Sequence, residues 1–155
     1  MKALTVWQPW ASLIAIGAKP YEFRSWRPHA SLIGQRIAIH AGARPVQRSE
    51  VRALIWSLNG TSKFTSSCLH KDLALPLLSQ DSAVAGLLLS HVLCTAVVGN
   101  PIRGDVAARE FGVSIHSAGD FNWAWPMLDV RPLEPPQYAR GRQGLWDFVS
   151  DLGGL

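Results

Sequence analysis

Lys19, Glu22 and Arg24 place a cation, a carboxylate and a second cation within six positions, and Trp26 follows two residues later. Residue types at that spacing support two kinds of chemistry. A lysine held by a carboxylate presents its ammonium to an anionic or carbonyl oxygen, and the carboxylate accepts a proton where its surroundings favour the neutral form. The same charges also make a plain stabilising pair, Glu22 with Arg24, and both readings stand at this point. Further residues suit a nucleotide. Arg24, Arg140 and Arg142 are forks for phosphate. Trp7, Trp10 and Trp26 can stack on a base, and Gln8 or Gln143 can read its edge. His40 stands at a strand end, where it is either a ligand contact or an ordinary structural histidine. Trp10 and Trp146 have an equally ordinary use in the core.

Other chemistries find little support. Ser90 and His91 are neighbours on an extended segment, so their side chains point to opposite faces and make no nucleophile–base pair. The histidines (His29, His40, His70, His91, His116) and the cysteines (Cys68, Cys94) never recur at zinc-ligand spacing. Gly141 and Gly144 bracket a turn, and no glycine loop of the Walker or Rossmann type is present. Neither a metal nor a cofactor is expected.

The elements that must position these residues follow from periodicity and breakers. A short strand over 2–7 puts Leu4 and Val6 on one face. Gln8-Pro9 opens a helix, because proline suits a first turn. Trp10, Leu13 and Ile14 form its apolar stripe, and Gly17 stops it. Pro20 forbids further helix and holds Lys19 extended. A strand over 21–26 follows, with Tyr21 and Phe23 on one face and Glu22, Arg24 and Trp26 on the other. The next strand spans 35–40, with Ile37 and Ile39 inward. A helix over 45–58 buries Val51, Leu54, Ile55 and Leu58, and Arg44, Arg48 and Arg52 recur every four residues as one basic stripe. That stripe is a solvated face or a phosphate track. Residues 61–67 are polar and read as loop, and 69–78 holds a short helix broken by Pro76. The apolar run over 83–98 reads as one long or bent strand. Asp105 caps a helix that runs to Phe111 and closes at Gly112. A strand over 121–130 has an edge or bulge at Pro126, 132–136 is extended, and 145–149 is a closing strand.

The chain has 155 residues, 48% hydrophobic and 17% charged, the balance of one folded domain over 1–155 with a real core. No apolar run reaches the roughly 18 residues of a membrane span, and Gln8-Pro9 interrupts any leader-like segment. Two cysteines make no disulfide framework, so a reducing, cytoplasmic setting is expected. The net charge is +4, and arginine outnumbers lysine eleven to four. That bias leans toward nucleic-acid or nucleotide partners. Seven tryptophans suit both a core and a base-binding surface. Short strands with few βαβ units imply an α+β protein built on a small, partly open barrel.

Several segments, taken in order, carry a resemblance. Trp7-Gln8-Pro9-Trp10-Ala11 comes first, then Gly17-x-Lys19-x-x-Glu22-x-Arg24-x-Trp26. Ile37-x-Ile39-His40-Ala41-Gly42 follows, then Trp123-x-Trp125 and a final Gly141-Arg142-Gln143-Gly144-Leu145-Trp146. From Leu4 to Phe148 the chain resembles the ASCH domain family, relatives of the PUA domains. The resemblance implies a PUA-like β-barrel of five to six strands with two or three helices at its openings, and a cleft beside the first helix. It implies binding of single-stranded RNA, a nucleotide or a nucleoside there. Some small members resemble this chain in the Gly-x-Lys pattern and hydrolyse the amide of acetylated cytidine, using a lysine, a threonine three residues on and a distant glutamate. Others are reported to cut RNA. Lys19 matches the lysine, but Glu22 stands where those amidohydrolases have threonine. Leu88-Leu89-Ser90 stands where larger members often carry a polar or acidic residue.

The leading expectation is therefore a binding domain that takes RNA or a modified nucleotide in a basic cleft lined by Trp7, Gln8, Trp10, Lys19, Glu22, Arg24, Trp26, His40, Arg140, Arg142 and Gln143. The alternative is a small metal-independent hydrolase of a nucleoside amide or RNA phosphodiester, with Lys19 and Glu22 as its catalytic pair.

Overall fold

The chain leaves its first strand, β1 (Lys2–Val6), through the Gln8-Pro9 corner and enters α1 (Trp10–Ala15) at once. The computed structural model describes residues 1–60, 68–112 and 123–151. Gly17, at φ +77°, takes the left-handed turn that ends α1, and the chain passes Pro20 into β2 (Tyr21–Arg24). A 3₁₀ turn at Ala30–Leu32 leads to β3 (Arg36–Ala41). Three helices follow: α2 (Arg48–Asn59), α3 (Lys71–Leu78) and α4 (Asp81–Ala85). The rest is β4 (His91–Val98), β5 (Ile102–Arg103), α5 (Gly104–Glu110), β6 (Trp123–Tyr138) and β7 (Leu145–Asp147).

The strands form one curled, mixed sheet in the order β2-β6-β4-β3-β1-β7, with β5 also on β6, and the curl makes a half-barrel. This is the expected α+β, PUA-like architecture. Among the described residues, only β1 and β3 run parallel, and every other pairing is antiparallel. β6 organises the sheet. Its first residues pair with β2 and β5, and the remainder pairs with β4. Register shifts break the β4–β6 ladder between Val92 and Cys94 and between Thr95 and Val97, which bends the strand.

β3 shows how the layers stack. Ile37 and Ile39 face the main core with Ala11 and Ile14 of α1, Leu4 and Val6 of β1, and Trp125 of β6. Ala38, on the opposite face, packs with Ala3, Val92, Leu133 and Phe148. Alternation put the two isoleucines inward as read from sequence. The second buried face comes from the C-terminal segment, which sequence pattern did not connect to β3. The outer side of α1, through Leu13, packs on Val51 and Leu54 of α2 and on Ala74 and Leu78 of α3.

Five expectations change. Pro76 does not break the helix read over 69–78: α3 runs through it from Lys71 to Leu78, because proline removes one N–H but keeps a helical φ. The run over 83–98 is not one strand: Ala83–Ala85 belong to α4, and β4 begins only at His91. An apolar run has no period of its own, so a buried helix turn and a buried strand look alike in it. Ser90, at φ +56°, makes the bend between them. The second helix begins at Arg48, so Arg44 lies outside it and the three-arginine stripe is not a helical one. Asp105 lies in the first turn of α5, after the capping position of Arg103, and its carboxylate takes Arg103 and Arg109. The segments read as 121–130 and 132–136 are one 16-residue strand, β6. The expected loop over 61–67, and Phe121 at the expected start of the late strand, lie outside the described residues.

Cys94 is fully buried in the main core, and Cys68 is 2% exposed against Ala107, Ala108 and Ala124. Burial pushes the Cys94 thiol up to about 12 and the Cys68 thiol up to about 11. Both thiols therefore stay protonated and shielded at pH 8. Ellman's reagent should label neither in the native protein and both after denaturation in guanidinium. Stoichiometric labelling of native protein would contradict this packing.

Candidate functional site

Pro20 turns the chain so that Lys19 reaches back along β2. Its ammonium donates to Glu22 Oε2 at 2.7 Å and to the Tyr21 carbonyl, and it lies 5.5 Å from the centre of the Phe23 ring. Glu22 Oε1 takes Arg24 Nη2 at 3.1 Å. One carboxylate thus sits between two cations, with Lys19 5% and Glu22 7% exposed. Strand alternation is the cause: Glu22 and Arg24 share a face of β2, and Glu22 stands opposite the buried Trp125 of β6. Tyr21, on the other face, donates to Glu110 Oε2 at 2.5 Å. Burial, then the adjoining carboxylate, pushes its phenol up to about 12.

Arg24 does more than pair. Its Nη2 also donates to the Thr5 carbonyl at 2.8 Å. β2 and β1 are four places apart in the sheet order, so this bond crosses the gap of the half-barrel. Arg24 Nε is buried and, among the described residues, has no hydrogen-bond partner. Two residues beyond each end of the Arg24–Thr5 bond stands an exposed indole: Trp7, 56% exposed, and Trp26, 40% exposed. Trp26 is set edge-on against Trp125 at 4.7 Å. Arg44 lies over the Trp7 ring at 4.3 Å and is forked onto Glu50 at 2.7 and 3.3 Å. The indole is thereby braced on one face.

Thr5 is the residue that sequence reasoning missed. Its hydroxyl donates to the Arg142 carbonyl at 2.7 Å, accepts Trp146 Nε1 at 3.1 Å and lies 3.3 Å from His40 Nδ1. One residue therefore joins β2, β3 and the connection between β6 and β7. A signal was present: a threonine between Leu4 and Val6 faces away from the apolar side of β1.

The remaining expected residues divide. His40 is 1% exposed, with Nε2 donating to the Ala139 carbonyl at 2.9 Å and its ring edge-on to Trp146 at 5.4 Å. Burial pulls its pKa below the usual imidazole value, and the charge of His91 pulls the same way against the Ala139 bond. Gln8 is also 1% exposed, and its amide is committed to Ser12 and the Leu88 carbonyl. Trp10 is half-buried against two of the apolar clusters. Neither the His40 ring nor the Gln8 amide presents a free polar edge at the mouth. Arg140, Arg142 and Gln143 are exposed on the connection over 139–144, which Thr5 and His40 hold beside Arg24. Arg48 and Arg52 are exposed on α2. Among the described residues, no three His, Cys, Asp or Glu side chains are grouped to hold a metal, and no helix is long and apolar enough to cross a membrane.

The family model for the ASCH domain matches residues 4–92. The matched stretch carries Thr5, Trp7, Lys19, Glu22, Arg24 and His40, and ends before the connection that bears Arg140 and Arg142. A search of curated proteins finds no match.

Because Glu22 balances two largely buried cations, Glu22→Gln should destabilise the fold by about 3 kcal/mol or more. Urea denaturation measures this. A loss below about 1 kcal/mol would show that Lys19 and Arg24 do not depend on the carboxylate.

Proposed function

The chain belongs to the ASCH domain family, and on that premise we propose that it binds single-stranded RNA or a nucleotide at the mouth between β1, β2 and the 139–144 connection. The family is consistent with RNA binding of the PUA-like kind. The observation that carries the reading is the pair of exposed indoles, Trp7 and Trp26, each two residues beyond an end of the Arg24–Thr5 bond. Arg140 and Arg142 add exposed charge for phosphates. Trp7 and Trp26 offer faces for bases, and Gln143 offers an amide to a base edge. Lys19 and Glu22 set the direction of Arg24 in this reading and do not touch the ligand.

The hydrolase reading is the weaker one. Both Glu22 oxygens are occupied, by Lys19 and by Arg24, and the Lys19 ammonium is spent on Glu22 and Tyr21. Neither group is placed to attack or to take a proton from a substrate. Strands from both ends of the chain share one sheet, which supports reading 1–155 as one domain. Two free, buried cysteines fit a reducing, cytoplasmic setting.

Fluorescence anisotropy with a labelled single-stranded RNA dodecamer tests the proposal. Trp7→Ala should weaken binding by about 1–3 kcal/mol, the worth of one stacked base. The double change Arg140→Gln, Arg142→Gln should flatten the log-affinity against log-salt slope by about 1.4, the value for two lost single-strand phosphate contacts. Unchanged affinity in the first variant and an unchanged slope in the second would sink the site assignment.

A further inference from the structure

The 139–144 connection is fastened at two points. Ala139 O takes His40 Nε2–H, and Arg142 O takes the Thr5 hydroxyl. Between them, the Gly141 backbone lies directly on the His40 ring. A Cβ at Gly141 would stand 2.2 Å from Cε1 and 2.6 Å from Nδ1, so only glycine fits while the connection is down. The covering strap and the ring beneath it are thus one contact.

The proton arrangement at this contact follows from its partners. A hydroxyl has one proton to give, and Arg142 O, at 2.7 Å, is the nearest acceptor for it. Trp146 Nε1–H fills one lone pair of Thr5 Oγ1. A neutral imidazole has one N–H, and the Ala139 carbonyl places it on Nε2. Nδ1 then faces Thr5 Oγ1 without a proton between them, in keeping with the longer 3.3 Å separation. A second proton on the ring would sit in a nearly dry site. The charged or titratable group acting on the ring is His91 of β4, adjacent to its sheet partner Val92, while Arg140 and Arg142 are exposed on the strap. β1 and β7 face it with uncharged Thr5 and Trp146. Among the described residues, no carboxylate is one of its hydrogen-bond partners. An imidazolium here is stripped of water and lies near His91, whereas in the open state it is well solvated.

We propose that His40 is an acid-released latch: neutral, it holds the basic strap over 139–144 down on the mouth, and protonated, it lets the strap rise. This deepens the binding reading, because the strap carries Arg140, Arg142 and Gln143, and it concerns the regulation of that same site. The sign follows from linkage. The ring binds a proton less readily under the closed strap than in the open state. Closure is therefore strongest above the ordinary imidazole range near 6.5 and weakens as the pH falls below it.

Amide hydrogen exchange of the ligand-free protein between pH 8 and pH 5, corrected for intrinsic exchange rates, reads the latch directly. Protection of the Ala139 amide, bonded to Ser90 O, and of the Thr5 amide, bonded to Gly144 O of the strap, should fall by about three- to tenfold between pH 7 and pH 5, within the limit of tenfold per pH unit for one proton. Protection in β3 and β4 should hold. His40→Gln keeps an amide donor for Ala139 O but cannot titrate, so its strap protection should not vary with pH. Gly141→Ala, whose new methyl meets the ring, should leave the strap poorly protected at every pH. Should His40→Gln fail to fold, the wild-type profile set against Gly141→Ala decides the same point. Strap protection that is flat with pH in the wild type overturns the proposal, as does equal pH dependence in His40→Gln, or loss of β3 and β4 protection in parallel with the strap. With no ligand present, failure here leaves the binding reading standing, and failure of RNA binding leaves the latch standing.

Discussion

One carboxylate holds the mouth of this half-barrel in place. Glu22 lies between the Lys19 ammonium and the Arg24 guanidinium, and all three are drawn out of water by the strands around them. A buried carboxylate with one cation would already be expensive to arrange, and here a second cation is drawn in. The return is geometric. Glu22 fixes the guanidinium of Arg24, and the same Nη2 reaches the Thr5 carbonyl across the open side of the sheet. The two sides of an incomplete barrel are therefore held by a charge-assisted bond where a closed barrel would have a strand ladder.

Thr5 carries that constraint onward. Its carbonyl belongs to the Arg24 side and its hydroxyl to the C-terminal side, where it meets Arg142 O, Trp146 and His40. A residue early in the chain thus sets the spacing between β2 and the strap, which enters the structure near the end. This arrangement distinguishes groups that shape the mouth from groups free to contact a ligand. Lys19, Glu22, Gln8 and His40 have their polar atoms engaged inside the protein, while Trp7, Trp26, Arg140, Arg142 and Gln143 face solvent. A binding surface built on a rigid, satisfied inner layer needs little reordering when a ligand arrives.

Much of the architecture was legible because it depends on local rules. Gly17 and Pro20 marked the end of α1, and alternation assigned Glu22 and Arg24 to one face of β2 and Ile37 and Ile39 to the core. Where local rules are degenerate the reading failed. The 83–98 run lacked a period that separates helix from strand, and Arg44 shared a four-residue spacing with Arg48 and Arg52 without sharing their helix. Arg44 precedes that helix, and its guanidinium is instead forked onto Glu50 and stacked on the face of Trp7. Spacing along the chain carries no information about such a partner.

The sequence by itself determined which residues carry chemistry and the family to which they belong, since residue types and short-range spacing survive without coordinates. It could not say which of those side chains are free. Gln8 and Trp7 are adjacent and equally suited to a nucleotide on paper, yet one is 1% and the other 56% exposed. Only the tertiary structure decided that, because a polar group's availability depends on whether distant parts of the chain have already met its hydrogen bonds. His40 became a buried contact of the strap through Ala139, 99 residues away, and Thr5 the joint between two walls through Arg24 and Arg142, 19 and 137 residues away.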